Sequence, residues 1–191
     1  MKRRVTLVAL VVLVALAIGG TTAFAGAGAG AGEAASAPAP RVGEVDGLAP
    51  AKADGDHCVT GPTVGTICFR SQAQVIRYVS GGKVQLDEGA SALSLGEATL
   101  ASMGVSTIMY EHPNLQGASL STWTDGCSGA GNMPSGWNDR VSSAWVANTC
   151  YLYLYEHYNL AGASLRIPYA GYAYVGDAWN DRASSWRVAT G

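Results

Sequence analysis

The chain reads WNDRVSS at residues 137–143 and WNDRASS at residues 179–185, forty-two positions later, with six of seven letters identical. This stretch is one end of a longer duplication. YEHPNLQGASL at 110–120 matches YEHYNLAGASL at 155–165 with an offset of 45. The first copy is therefore three residues longer in its middle, around Trp123 to Pro134, and the insertion contains Cys127. Self-similarity at a period of about forty residues marks one supersecondary unit written twice.

Short alternating runs fill both copies: Thr107 to Tyr110, Ala118 to Trp123, Ser143 to Val146, Tyr151 to Tyr155, Ser164 to Ile167 and Ser185 to Val188. Gly, Asn, Asp and Pro separate them. This is the pattern of an all-β unit with frequent turns, four strands to a copy. Tyr110 and Gly117 are seven apart, as are Tyr155 and Gly162. A glycine at a fixed distance from an aromatic, across a short polar loop, predicts a folded-over hairpin. The glycine supplies positive φ or close approach, and the ring covers the bend.

The aromatic-x6-Gly start, a strand opening on Ser, and an Asn-Asp-x-x-Ser-Ser loop together resemble the Greek-key motif of the βγ-crystallin family. The resemblance spans roughly residues 106–191, with one Greek key at about 106–147 and a second at about 151–190. It implies a two-sheet Greek-key β-sandwich over 105–191. In calcium-binding members of that family the two loops lie side by side and share ligands across a pseudo-twofold. Carried over, the resemblance implies carbonyl ligands at Arg140 and Arg182, hydroxyl ligands at Ser142 and Ser184, and side-chain ligands at Asp139 and Asp181. One further carbonyl follows each hairpin aromatic, at Glu111 and at Glu156. The set would serve two Ca2+ ions.

The residues agree with that chemistry on their own terms. Each loop offers a carboxylate, an amide, two hydroxyls and backbone carbonyls within six residues. All are hard oxygen donors, which suit calcium; magnesium demands stricter octahedral order, and transition metals favour His or Cys. One carboxylate per loop predicts weak binding, with Kd on the order of 10⁻⁵ to 10⁻³ M. The metal-free alternative is that Asn-Asp and Ser-Ser form Asx-turns and hydroxyl caps. Trp137 and Trp179 are expected in the core or as wedges beneath the loops, ahead of a sugar-stacking role.

The N-terminal region reads differently. Lys2, Arg3 and Arg4 precede an apolar run from Val5 to Ile18, and Ala23-Phe24-Ala25 is a small-x-small cleavage site. The run is shorter than the ~20 residues of a membrane span, so residues 1–25 are expected to be a secretory signal peptide, with no membrane association after its removal. Its removal would leave 166 residues and move net charge from −2 to −5. That balance disfavours nucleic acid, which wants a basic face. Residues 26–56, rich in Gly, Ala and Pro, lack any helix or strand period and are expected to be a disordered linker.

Residues 57–104 are expected to form a small mixed α/β extension pinned by a disulfide. Strands are expected at Val64 to Phe69 and Lys83 to Leu86, with a helix over Gln72 to Ser80 capped by Ser71 and stopped by Gly81-Gly82. Ala90 to Met103 is ambiguous, and His57, beside the linker, is expected to be exposed. The four cysteines, even in number in an exported chain, suggest two disulfides. Three pairings exist; Cys58–Cys68 with Cys127–Cys150 is favoured because each pair lies inside one segment. No CxxC supports zinc instead.

No catalytic constellation accompanies these features. Glu-His at 111–112 and 156–157 is not HExxH, there is no GxSxG, and no carboxylate pair stands out. The expectation is a secreted, non-enzymatic calcium-binding module whose ions stabilise the fold. The alternative on the same fold is a secreted metalloproteinase inhibitor or killer-toxin-like interaction protein, with an extracellular protease as partner and residues 124–134 as a contact loop.

Overall fold

The computed structural model describes residues 56–147 and 149–191. The signal peptide expected at 1–25 and, apart from Asp56, the linker expected at 26–56 lie outside the described residues. The rest is mostly β, in two sheets.

The second half of the chain shows how two similar units become one body. The first copy supplies β3 (Val105–His112), β4 (Gln116–Trp123), β5 (Gly129–Asn132) and β6 (Ser143–Val146). The second supplies β7 (Cys150–His157), β8 (Ala161–Ile167) and β9 (Ser185–Thr190). β5 leaves its own copy and pairs antiparallel with β9, Gly129 opposite Val188 and Asn132 opposite Ser185. Residues 170–172 of the second copy make the reciprocal move. Tyr172 donates its N–H to the Ala144 carbonyl at 2.8 Å and accepts from the Ala144 N–H at 3.0 Å, beside β6. Each copy thus lends its third segment to the other's sheet, the Greek-key exchange. Between the sheets lie Met109, Leu120, Trp137, Val141, Leu152, Leu154 and Trp186, all buried.

β5 has no sequence signal, since Gly-Ala-Gly-Asn is poor in strand formers. Its partner explains it. Gly131 pairs with Trp186 across the ladder, and a Cβ at Gly131 would stand 3.3 Å from the indole. A small residue on β5 leaves room for the large one on β9, so tertiary packing selects glycine here. The same strand ties down much of residues 124–134.

The cysteines pair as favoured, Cys58 with Cys68 and Cys127 with Cys150. The first bond joins facing positions of a hairpin, and the second joins the longer middle of copy one to the start of β7. Closing loops of 10 and 23 residues restricts the unfolded chain by about 3 kcal/mol each in the chain-entropy model.

The region before β3 extends the first sheet. β1 (His57–Gly61) pairs antiparallel with β2 (Gly65–Phe69) and parallel with β4, from His57 opposite Ser119 to Thr60 opposite Thr122. The order is β2-β1-β4-β3-β6, beside β5-β9-β7-β8. Helix α1 (Gln72–Val79) follows, with the Ser71 hydroxyl accepting from the Gln74 N–H at 3.3 Å. The ambiguous stretch resolves into a 3-10 turn at Ala92–Leu95 and α2 (Glu97–Ser102). Val59, Phe69, Val75, Ile76, Val79 and Leu100 form a second core against the outer face of β3, around Ile108 and Tyr110. The consequence shows in the repeat. β3 is buried on both faces, whereas β7 alternates and leaves Tyr153 and Tyr155 half-buried, at the positions matching Ile108 and Tyr110.

Two expectations are corrected. Lys83 to Leu86 is not a strand. The Ser80 hydroxyl takes the Val84 N–H at 3.0 Å, holding the segment as a turn, while Val84 and Leu86 pack on the outer core as irregular chain. His57 is half-buried rather than exposed, because β1 carries it onto β4, with Nδ1 2.9 Å from Ser119 Oγ. Burial holds the His57 pKa below 6.5, against the raising effect of Asp56. The unfolded state therefore takes up the proton first as pH falls. Stability should be level above about pH 6.5 and decline below it. Urea melts at pH 8 and pH 5 should show the decline, and His57→Gln should reduce it; an equal decline in the variant would assign it to other groups.

Candidate metal centre

Each copy builds the same local structure from its first hairpin and its Asn-Asp-Arg loop. In the hairpins, Gly117 and Gly162 both have φ of +80°. The ring lying on each is a histidine: a Cβ at Gly117 would meet His112 at 2.7 Å, and one at Gly162 would meet His157 at 2.9 Å. The rings expected to cover these bends, Tyr110 and Tyr155, are not the ones nearest the glycines; His112 and His157 are, so the repeated histidines have a packing role.

Ser143 and Ser185, the last serines of the two loops, buckle hairpin to loop. Ser143 Oγ donates to the His112 carbonyl at 2.6 Å and accepts from the Leu115 N–H at 3.1 Å. Ser185 Oγ does the same with His157 at 2.6 Å and Leu160 at 3.0 Å. Both serines are fully buried. Sequence reasoning gave them no role of their own. Their repetition was the available signal, but the partners lie 25 to 31 residues away.

The serine one position earlier in the first loop meets another expected donor. Ser142 Oγ donates to the Glu111 carbonyl at 2.6 Å, so two expected oxygen donors already meet. The backbone repeats the arrangement, with Ser142 N–H on the Tyr110 carbonyl at 2.9 Å and Ser184 N–H on the Tyr155 carbonyl at 2.8 Å.

The two loops then touch each other reciprocally. Asp139 donates its N–H to the Ala183 carbonyl at 3.0 Å, and Asp181 donates its N–H to the Val141 carbonyl at 3.3 Å. Val141 stands between Arg140 and Ser142; Ala183 stands between Arg182 and Ser184. Each aspartate is therefore anchored beside the other loop's expected donors. Both aspartates have left-handed backbone, φ 56° and 53°, a conformation that short polar side chains tolerate. Their carboxylates are exposed, and each accepts from the preceding asparagine at 2.6 Å.

A charge pair closes each copy. Arg140 Nη2 lies 2.7 Å from Glu111 Oε1, and Arg182 Nη2 lies 2.5 Å from Glu156 Oε1. Hydrogen bonds from the arginines hold both glutamate carboxyls below their usual pKa range. Arg140 also donates to the Gly136 carbonyl at 2.7 Å and sits over the Trp137 ring; Arg182 donates to the Ala178 carbonyl at 3.1 Å and sits over Trp179. Trp137 is buried, as expected of a core residue, while Trp179 is partly buried at the core's margin.

Among the described residues, no three His, Cys, Asp or Glu side chains gather in one place. Any ion here would depend on carbonyl and hydroxyl oxygens with one carboxylate brought across from the other loop, a donor set that suits calcium. Asn138 Oδ1 is a further buried oxygen without a partner beside the first loop.

No family model matches the chain, and no curated protein matches it. Solved structures do. A double mutant of a βγ-crystallin domain from Clostridium beijerinckii is 26% identical, over 44% of this chain and 94% of that one, with a TM-score of 0.38. A βγ-crystallin domain from Flavobacterium johnsoniae is 27% identical over the same shares, 44% and 94%, with a TM-score of 0.38. A βγ-crystallin from an archaeon is 27% identical over 44% of this chain and 96% of its own, with a TM-score of 0.37. The chain is thus similar to solved βγ-crystallin domains from bacteria and an archaeon, the family that its doubled loop motif resembles.

Proposed function

We propose that the chain is a secreted calcium-binding module, with two sites at the paired loops and bound ions that stabilise the fold. The observation that carries this reading is the reciprocal pair of backbone bonds from Asp139 to Ala183 and from Asp181 to Val141. Glu111, Arg140 and Ser142, with Asp181, would supply one set of oxygens. Glu156, Arg182 and Ser184, with Asp139, would supply the other. Calcium would contribute a divalent charge that bridges oxygens from both copies, and so join the two Greek keys at one end.

Ligand bound only by the native state adds stability by mass action. With Kd between 10⁻⁵ and 10⁻³ M, millimolar calcium would add about 0.4 to 2.7 kcal/mol per site. At roughly 4 °C for each kcal/mol in a domain of this size, the melting temperature should rise by several degrees. Thermal melts of the chelator-treated protein, with and without 2 mM calcium, test this. An unchanged Tm would contradict stabilisation by calcium.

A further inference from the structure

The Arg140–Glu111 and Arg182–Glu156 pairs join residues whose backbone carbonyls belong to the same proposed ligand set. Arg140 and Glu111 are 29 residues apart, on loop and hairpin; Arg182 and Glu156 are 26 apart. In each copy the chain between guanidinium and carboxylate closes a ring, and the two donor carbonyls are its backbone ends. The rest of the arginine is fixed as well. Arg140 Nη1 reaches the Gly136 carbonyl, and the guanidinium carbon stands 5.3 Å from the Trp137 ring centre. Arg182 Nη1 reaches the Ala178 carbonyl, 5.7 Å from the Trp179 ring centre. A planar guanidinium with several donors can hold two acceptors at once, which a lysine ammonium does less well.

We infer that each arginine–glutamate pair is a positioning clamp that sets the spacing of the two carbonyl donors before calcium arrives. The inference rests on the calcium-binding reading above. It also accounts for a cation so close to a cation site: the glutamate cancels the arginine's charge, so the pair contributes geometry at no net cost in local charge. Side-chain exposures of 26% to 45% make the pairs poor contributors to overall stability. Their repetition in both copies is better explained by the site.

The test removes the clamp without changing net charge. Glu111→Gln with Arg140→Gln is made in the chain beginning at Gly26. Calcium is titrated while the Ser142 and Ser184 backbone amides are followed separately by NMR. Loss of a group that orients a ligand typically weakens metal binding at least ~10-fold. The expected result is therefore a roughly tenfold weaker site reported by Ser142, with Ser184 at its wild-type midpoint and Tm in chelator little changed. The double change Glu156→Gln with Arg182→Gln should reverse the two amides. Glu111→Arg with Arg140→Glu, which restores a pair of opposite polarity, should recover part of the affinity. Wild-type midpoints at both amides in both double variants would overturn the clamp while leaving calcium binding intact. Equal weakening at both amides with a fall in Tm in chelator would also overturn it, as a general structural defect. A wild-type chain with no calcium response would instead overturn the functional reading, and the clamp with it.

Discussion

A fragment beginning at Val105 should lose most of the stability of the longer chain and tend to aggregate. Removing residues 57–104 takes away β1, the parallel neighbour of β4, and bares a row of backbone groups along that strand. It also uncovers Ile108 and Tyr110, each 0% exposed in the intact structure. Burial of a large apolar side chain stabilises by about 1.5–3 kcal/mol, so these two positions alone represent roughly 3–6 kcal/mol. Small domains have only about 5–15 kcal/mol in total. Urea unfolding and sedimentation of the fragment should show a lower midpoint or no cooperative transition, together with association. A monomeric fragment unfolding at the midpoint of the longer chain would show that the extension is dispensable to the fold.

Trp137→Ala should destabilise the protein by about 3–5 kcal/mol, the range for truncating a buried Trp to Ala. Trp137 is 2% exposed and lies in the core between the sheets, directly before the first loop. The equivalent Trp179→Ala should cost clearly less, because Trp179 is only partly buried at the margin of that core. The two tryptophans open the same seven-residue motif, so the difference tests the asymmetry of the fold rather than the chemistry of the residue. Chemical denaturation of both variants in chelator measures it. Equal losses would mean that the two loops rest on equivalent cores.

The same asymmetry shows what could be read from the chain. β3, β4, β6, β7, β8 and β9 were legible because alternation and the repeat coincide there, and α1 because Ser71 and Gly81-Gly82 bracket an apolar stripe. β1 and β5 were not. His-Cys-Val-Thr-Gly lacks a clean alternation and lies outside the repeat, and Gly-Ala-Gly-Asn is poor in strand formers and finds its place beside Trp186. The two loops were visible because each is local and written twice, and the ligands expected in them and in the hairpins at Glu111 and Glu156 are those the family resemblance implies. The ties that organise them were not, since Ser143 to His112, Arg140 to Glu111 and Asp139 to Ala183 are contacts between distant segments. The covered face of β3 left a trace, Ile108 where the second copy has Tyr153, that gains meaning only once the helices are placed over it.

Isothermal calorimetry of calcium into the chelator-treated chain, beside the Asp139→Ser and Asp181→Ser double variant, tests the central claim most directly. Wild type should bind two ions, with Kd on the order of 10⁻⁵ to 10⁻³ M. The double variant should lose at least ~10-fold in affinity at both sites, because in the proposed arrangement each site draws its one carboxylate from the opposite loop. No calcium heat from wild type, or a double variant that titrates like it, would contradict the account.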